Sequence, residues 1–352
     1  MIGRTLCRLL RSPIHLTTIL LVGLVFLPST ALGDNVTLRM ITWLPLKVPP
    51  YPMLQAWADD IHNASSGTLT IAFDPKPSAP PTKQYELVQN GEADLAFFLP
   101  TYNPDRFPML RVAELPLLSA HTVTDSQALW EWYTKHIGEK EFGAVKLLTL
   151  WLPSTGILHS QRAVQTLEDM KGLKIRVPGG SIVEMAKTLD SVPVSLPLTK
   201  LAESLKQGTA DATLTGWLPL KLFRLQSVLK YHLEPPEGCL FTVPFVVGIN
   251  RDKFASLEPA HQEVLEKFGG PYGAAFLARE LSAVAGKIRQ EIKSQEGHVT
   301  HVLDANELAR WREKFAPLEA QWVEQANSKG YDGAALLEEL KATMKRYAAN
   351  KD

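Results

Sequence analysis

Residues 167–217 limit the fold more than any other stretch: LEDMKGLKIRVPGGSIVEMAKTLDSVPVSLPLTKLAESLKQGTADATLTGW. The run Lys174-Ile175-Arg176-Val177 reads as a strand, Pro178-Gly179-Gly180 as a tight turn, and Ser181 as the cap of a helix through Val183-Glu184-Met185-Ala186-Lys187. Further on, Leu205-Lys206-Gln207-Gly208-Thr209-Ala210-Asp211-Ala212 echoes Leu87-Val88-Gln89-Asn90-Gly91-Glu92-Ala93-Asp94-Leu95. In both, an amphipathic helix stops at a Gly, crosses an Ala-Asp turn and enters an apolar strand. A unit of this kind repeated more than a hundred residues apart predicts two α/β lobes of similar design facing one another across a cleft.

Ligands of open α/β sheets bind beyond the carboxyl ends of the strands. Arg176 sits at such an end, and its planar fork of donors matches a carboxylate two-to-two. The same edge rule nominates Trp43, Trp217 and one of Phe97 and Phe98 as walls. Strand alternation lets only one of the two phenylalanines face the cleft, and the reading assigns Phe98. His159 and Thr215 are candidate hydrogen-bond partners for a hydroxyl or keto oxygen.

The amino terminus carries an export pattern. Arg4, Arg8 and Arg11 precede the apolar run 17–27, and Ala31-Leu32-Gly33 forms a small-x-small cleavage site before Asp34. The apolar run is about half of the ~20 residues a spanning helix needs. Cleavage near Gly33/Asp34 leaves a periplasmic chain of 34 basic and 37 acidic side chains, a net charge of −3. That balance argues against nucleic acid or an anionic membrane surface as partner. Cys7 lies in the signal, so Cys239 is the mature chain's single cysteine and can form no internal disulfide.

In the first half of the chain, strands alternate with helices: 36–43, 69–73, 94–99 and 146–151 read as strands, and 53–64 as a helix with Leu54, Trp57 and Ile61 on one face. Such alternation implies mainly parallel sheets. The apolar run 240–250 is too long for one strand and reads as a crossing from the second lobe back to the first. Residues 259–295 are helical apart from a break at Gly269-Gly270-Pro271-Tyr272-Gly273, and 305–347 are helical with Trp311, Leu318 and Trp322 buried. The expected division is 1–33 signal, 34–155 and 244–285 lobe one, 156–243 lobe two, and 286–352 C-terminal helices packing on lobe two and across the lobes. The hinge is expected near 149–153 and 242–246.

The sequence lacks the motifs of serine hydrolases, zinc proteases and phosphate-binding loops, and no acid pair is poised for general acid–base work, so no cofactor and no catalysis are expected. His298 and His301 would project to opposite faces of a strand, without carboxylates around them, so no metal site is expected.

Leu167-Glu168-Asp169-Met170-Lys171-Gly172-Leu173-Lys174-Ile175-Arg176-Val177-Pro178 resembles the Asp-Leu-Lys-Gly-Leu-Lys-Ile-Arg-x-Pro signature of solute-binding receptors of the TRAP type, the tripartite ATP-independent periplasmic transporters, dicarboxylate-receptor (DctP-like) family. Leu205 to Asp211 is similar to a further turn of that family. A subgroup likeness rests on Ala93-Asp94-Leu95, on Leu99-Pro100-Thr101-Tyr102-Asn103-Pro104-Asp105-Arg106-Phe107-Pro108, on Glu114-Leu115-Pro116, on Trp217, on Tyr231-His232 and on Phe245 to Asn250. The resemblance implies a periplasmic-binding-protein-like fold with crossing hinge strands and long C-terminal helices. It also implies Arg176 as the clamp on a ligand carboxylate, and membrane permease subunits of a TRAP transporter as partner. Departures follow. Ile157-Leu158 stand where many members carry an aromatic–Arg pair, Ala212 replaces a Gly, Thr215 or Gly216 replaces an Asn, and Leu218 replaces an acid. One clamp is kept in a less polar pocket, which suits an aromatic or branched monocarboxylate. The receptor of an ATP-driven importer and an extracytoplasmic ligand-sensing module are the alternatives.

Overall fold

The computed structural model describes residues 35–46 and 48–349. The export pattern and its cleavage site lie outside the described residues.

Eleven strands among the described residues form two sheets. β1 (Val36–Ile41), β2 (Leu69–Phe73), β3 (Leu95–Phe98), β4 (Val145–Trp151) and β10 (Phe245–Asn250) make the first, in the order β2-β1-β3-β10-β4. The second contains β5 (Ile157–Ser160), β6 (Lys174–Val177), β7 (Val192–Ser195), β8 (Ala212–Thr215), β9 (Tyr231–Glu234) and β11 (Val299–Val302), in the order β11-β9-β5-β8-β6-β7. Each sheet is parallel except for one strand. β10 runs antiparallel to β3 and β4, and β5 antiparallel to β8 and β9. Both exceptions are strands that follow directly on a crossing from the other sheet; β11 also follows a strand of the first sheet, but by way of the helix Gly270–Lys293, and is parallel. The parallel strands end at the cleft, so a strand entering from across the cleft must begin there and run the opposite way.

The two crossings pair with each other. Gly156 N donates to Phe241 O at 2.7 Å and Leu240 N to Gly156 O at 2.9 Å. A Cβ on Gly156 would come within 2.5 Å of the Phe241 ring, so only glycine lets the crossings lie this close.

The echoing units are structurally equivalent. Asp94 N donates to Arg39 O and the Asp94 carboxylate accepts from Arg39 N at 2.8 Å; Asp211 N donates to Lys174 O and its carboxylate accepts from Lys174 N at 3.2 Å. In each lobe an Asp therefore pins the start of one strand to its parallel neighbour.

Three apolar cores hold the layers. One lies between the first sheet and the helix Tyr51–Ala64, which turns Leu54, Trp57 and Ile61 inward. A smaller one, with Leu201, Leu205 and Trp217, lies under the second sheet. The largest runs continuously from Phe98 and Phe107 through Ile175 and Met185 to Trp311 and Trp322 of the helix Ala305–Ser328. Trp132 Nε1 donates to Leu336 O at 2.9 Å and Trp322 Nε1 to Met109 O at 3.3 Å, which ties the C-terminal helices to the first sheet's layer. The glycine-rich break at Gly269 is narrower than the sequence suggests: one helix ends at Phe268 and the next, Gly270–Lys293, begins at once.

Candidate functional site

Between the sheets lies a cavity of about 110 Å³. The ends of parallel strands supply Trp43 after β1, Leu99 after β3, Arg176 on β6 and Thr215 on β8. The crossings supply Pro153, Ser154 and Gly156 on one side, and Phe241, Thr242, Val243 and Phe245 on the other. Tyr102 and Pro178 line both this cavity and an outer groove, so they stand at its mouth.

Arg176 is the one charged side chain among the described lining residues. It is 2 % exposed, its Nε donates to Leu196 O at 2.9 Å, and its Nη2 is buried without a partner. Burial lowers its pKa from the ordinary arginine value, and the neighbouring Tyr102 phenol works the other way, favouring the charge. Guanidinium stays protonated in proteins, so only an anion, and not loss of the proton, can offset that penalty. No Asp or Glu lines the cavity to serve as that anion. The arrangement is a cation with an unmet valence at the end of an apolar chamber. Trp43 Nε1 is a second buried donor without a partner.

The sequence-nominated residues divide. Arg176, Trp43 and Thr215 line the cavity; Phe98, His159 and Trp217 do not. Alternation along β3 turns Phe98 to the face covered by the helix Gln84–Gln89, against Tyr85 and Phe107 at ring separations of 5.6 and 6.1 Å. Phe97 takes the other face and packs behind the wall, 6.3 Å from Trp43 and 5.0 Å from Phe245. Trp217 opens the helix Trp217–Leu222 and swings under the sheet, edge-on to His159 at 4.9 Å. His159 is fully buried, and its Nδ1 lies 2.8 Å from His232 Nδ1; His232 Nε2 lies 3.0 Å from His298 Nδ1. Burial pushes His159 well below the usual imidazole range, and burial with the nearby His298 and lysine charges takes His232 down to about 3. The chain of neutral rings packs the second sheet behind the cavity wall.

Sequence reading missed Tyr102, Ser154 and Phe241 in the walls. The Leu99–Pro108 stretch and the 240–250 crossing were the available signals, but neither says which side chain turns inward. It also missed a contact at the mouth. Ser181 does not cap the helix that follows Arg176: the helix is Ser181–Thr188, Gly180 is at the cap position, and no side chain of the segment caps it. The acceptor comes from the connection between two strands of the first sheet. Glu114, on the turn Leu110–Glu114 between β3 and β4, is 1 % exposed and accepts from Ser181 N at 2.8 Å. Burial raises its pKa, opposed by the Thr101 hydroxyl, the Ser181 amide and the Arg111 charge. Arg111 Nε also reaches Ser181 Oγ at 3.0 Å.

Residues 42–326 match the family model described as bacterial extracellular solute-binding protein, family 7. A TRAP periplasmic solute-binding protein from Bordetella bronchiseptica, solved with bound (R)- and (S)-mandelate, is 30 % identical with a TM-score of 0.83, covering 88 % of this chain and 99 % of that one. A TRAP solute-binding protein from Rhodoferax ferrireducens, in complex with copurified benzoate, is 25 % identical with a TM-score of 0.84, covering 90 % and 100 %. The Comamonas testosteroni protein named outer membrane transporter protein TsaT is 24 % identical over 92 % of this chain and 96 % of its own. With two α/β lobes, reversed crossing strands and a family match over most of its length, the chain belongs to the family 7 solute-binding proteins, the receptors of TRAP transporters.

Proposed function

We propose that the chain is a periplasmic receptor that captures an aromatic monocarboxylate between its lobes and presents it to the permease subunits of a TRAP transporter. The observation that carries this reading is the buried, unpartnered Nη2 of Arg176 in a cavity without any other lining charge. Arg176 is the counter-ion of the ligand carboxylate. Trp43, Phe241 and Phe245 are the walls around its ring, and Thr215, Ser154 and Tyr102 are the polar groups beside them. A second carboxylate would need its own cation to be buried without penalty, and the described walls offer none. The mandelate and benzoate named with the two similar receptors are acids of this class. The role is capture without turnover, in keeping with the family. Export follows the 1–33 pattern, with cleavage between Gly33 and Asp34, and among the described residues no helix is long and apolar enough to cross a membrane.

A thermal-shift screen of the mature chain against organic acids tests the ligand class. A ligand at a hundred times its dissociation constant adds about 2.7 kcal/mol to the folded state. Mandelate, benzoate and branched 2-oxo or 2-hydroxy monocarboxylates are expected to outrank succinate and malate. A response to C4-dicarboxylates alone would overturn the ligand class. Intact-mass measurement of periplasmic protein tests the cleavage; retention of Met1 on a membrane-bound product would contradict it.

A further inference from the structure

We infer that Glu114 is a positioning residue for ligand capture, a latch on the first lobe that fixes the turn behind Arg176 when the cleft is closed. Three observations converge on Pro178-Gly179-Gly180-Ser181, which continues directly from the strand bearing Arg176. The Glu114 carboxylate, buried and coming from the β3–β4 connection of the first sheet, accepts from Ser181 N at 2.8 Å and serves as the cap that the helix Ser181–Thr188 does not provide for itself. Arg111, from the same turn as Glu114, binds the Ser181 hydroxyl at 3.0 Å. Gly180 has a φ of +58°, and a Cβ there would meet Glu114 Oε2 at 2.5 Å, so the turn is shaped to admit the carboxylate.

The consequence is mechanical. Arg176 lies only two residues before Pro178, and Pro178 lines the mouth of the cavity. A carboxylate on a helix amino terminus is favoured by both the free amide and the helix dipole, and it gains strength as water leaves. The bond joins the β3–β4 connection of the first sheet to the helix that follows β6 of the second, so a cleft opening that draws the two sheets apart would break it and closing would restore it. It adds to the lifetime of the closed complex without touching the ligand. This inference rests on the receptor reading and does not depend on which acid is bound.

The test uses the full mature chain and Glu114→Ala and Glu114→Gln, with mandelate and benzoate as probes. Stopped-flow binding is expected to show dissociation faster in Glu114→Ala by roughly ten- to a hundred-fold, the loss of one charge-assisted hydrogen bond, with association within a few-fold of wild type. Glu114→Gln keeps an acceptor for Ser181 N and is expected to bring dissociation back to within a few-fold of wild type. A merely structural residue would lower the melting temperature of the unliganded protein and leave the dissociation rate alone. Amide exchange at Ser181 reads the latch without relying on either acid. Slower exchange in wild type than in Glu114→Ala supports it. Equal exchange in the two proteins, with and without the acids, overturns it, as does an unchanged dissociation rate in Glu114→Ala. Failure of both acids to bind, with Ser181 still protected by Glu114, would count against the ligand class and leave the latch standing.

Discussion

Replacing Arg176 with methionine separates what a side chain does for the ligand from what it does for the fold. The guanidinium is 2 % exposed, makes one hydrogen bond to the Leu196 carbonyl and leaves Nη2 unpartnered. Removing it from the liganded complex strands the ligand carboxylate in an apolar chamber. The expected cost is about 2–5 kcal/mol, as for truncating one half of a buried charged pair, or roughly thirty- to several-thousand-fold in dissociation constant. The unliganded protein should respond the other way. It loses one hydrogen bond, worth about 1 kcal/mol. It is also relieved of a buried cation with no counter-ion, and apolar replacements of buried charges are often neutral or stabilising by about 1–4 kcal/mol. Methionine is similar in length and packs against the walls without a new polar atom. Arg176→Met should therefore keep the melting temperature of the free protein or raise it by a few degrees while abolishing strong binding. Arg176→Lys should fall between, since a point charge replaces a fork. Titration calorimetry with mandelate and denaturant melts of the free protein read the two effects. A free Arg176→Met protein destabilised by several kcal/mol would show that the guanidinium is a structural pin. Wild-type affinity in the variant would remove it from the site.

Three further outcomes follow from the packing. His232 has a folded pKa depressed to about 3, against an ordinary value near 6.5, so between these limits the unfolded chain binds more protons. Stability should be full above about pH 6.5 and decline as pH falls toward 3, and His232→Gln should flatten that slope in urea melts at pH 7.5, 5.5 and 4.5; parallel slopes would contradict this. Gly180→Ala places a Cβ against Glu114 and a side chain at a φ of +58° and ψ of −144°, a backbone conformation that costs a non-glycine residue about 1–3 kcal/mol; ligand affinity should fall by at least roughly ten-fold, measured by calorimetry. Burial pushes the Cys239 thiol up to about 12, so iodoacetamide at pH 8 should label it only after denaturation, as read by intact mass.

Much of the architecture was legible because it depends on local pattern. The echo between 87–95 and 205–212 reports a real equivalence, with Asp94 and Asp211 making matching bonds to neighbouring strands. Arg176 was legible because a strand end and a planar cation are both written in the chain. What stayed hidden depends on faces and partners. Phe97 and Phe98 are adjacent and both apolar, and only the placement of the surrounding helices decides which one packs behind the cavity wall and which packs on Tyr85. Trp217 follows the correct edge, whereas His159 lies two residues along β5 from it, opposite Thr213; both point under the sheet, where they pack on each other. Ser181 has the composition of a cap, yet the acceptor is Glu114, 67 positions earlier, and no window along the chain contains both.

The apolar lining of the cavity has a thermodynamic signature. Closing Trp43, Phe241 and Phe245 over a ring removes nonpolar surface from water, and this gives a negative heat-capacity change on binding. The chamber is small and, away from Arg176 and a few hydroxyls, its walls are apolar, so water held against them before the ligand arrives makes few hydrogen bonds and is released at little enthalpic cost. Binding should then be driven by enthalpy at 25 °C and become more exothermic on warming, so the receptor's affinity would change with growth temperature in a way set by the walls and not by the clamp.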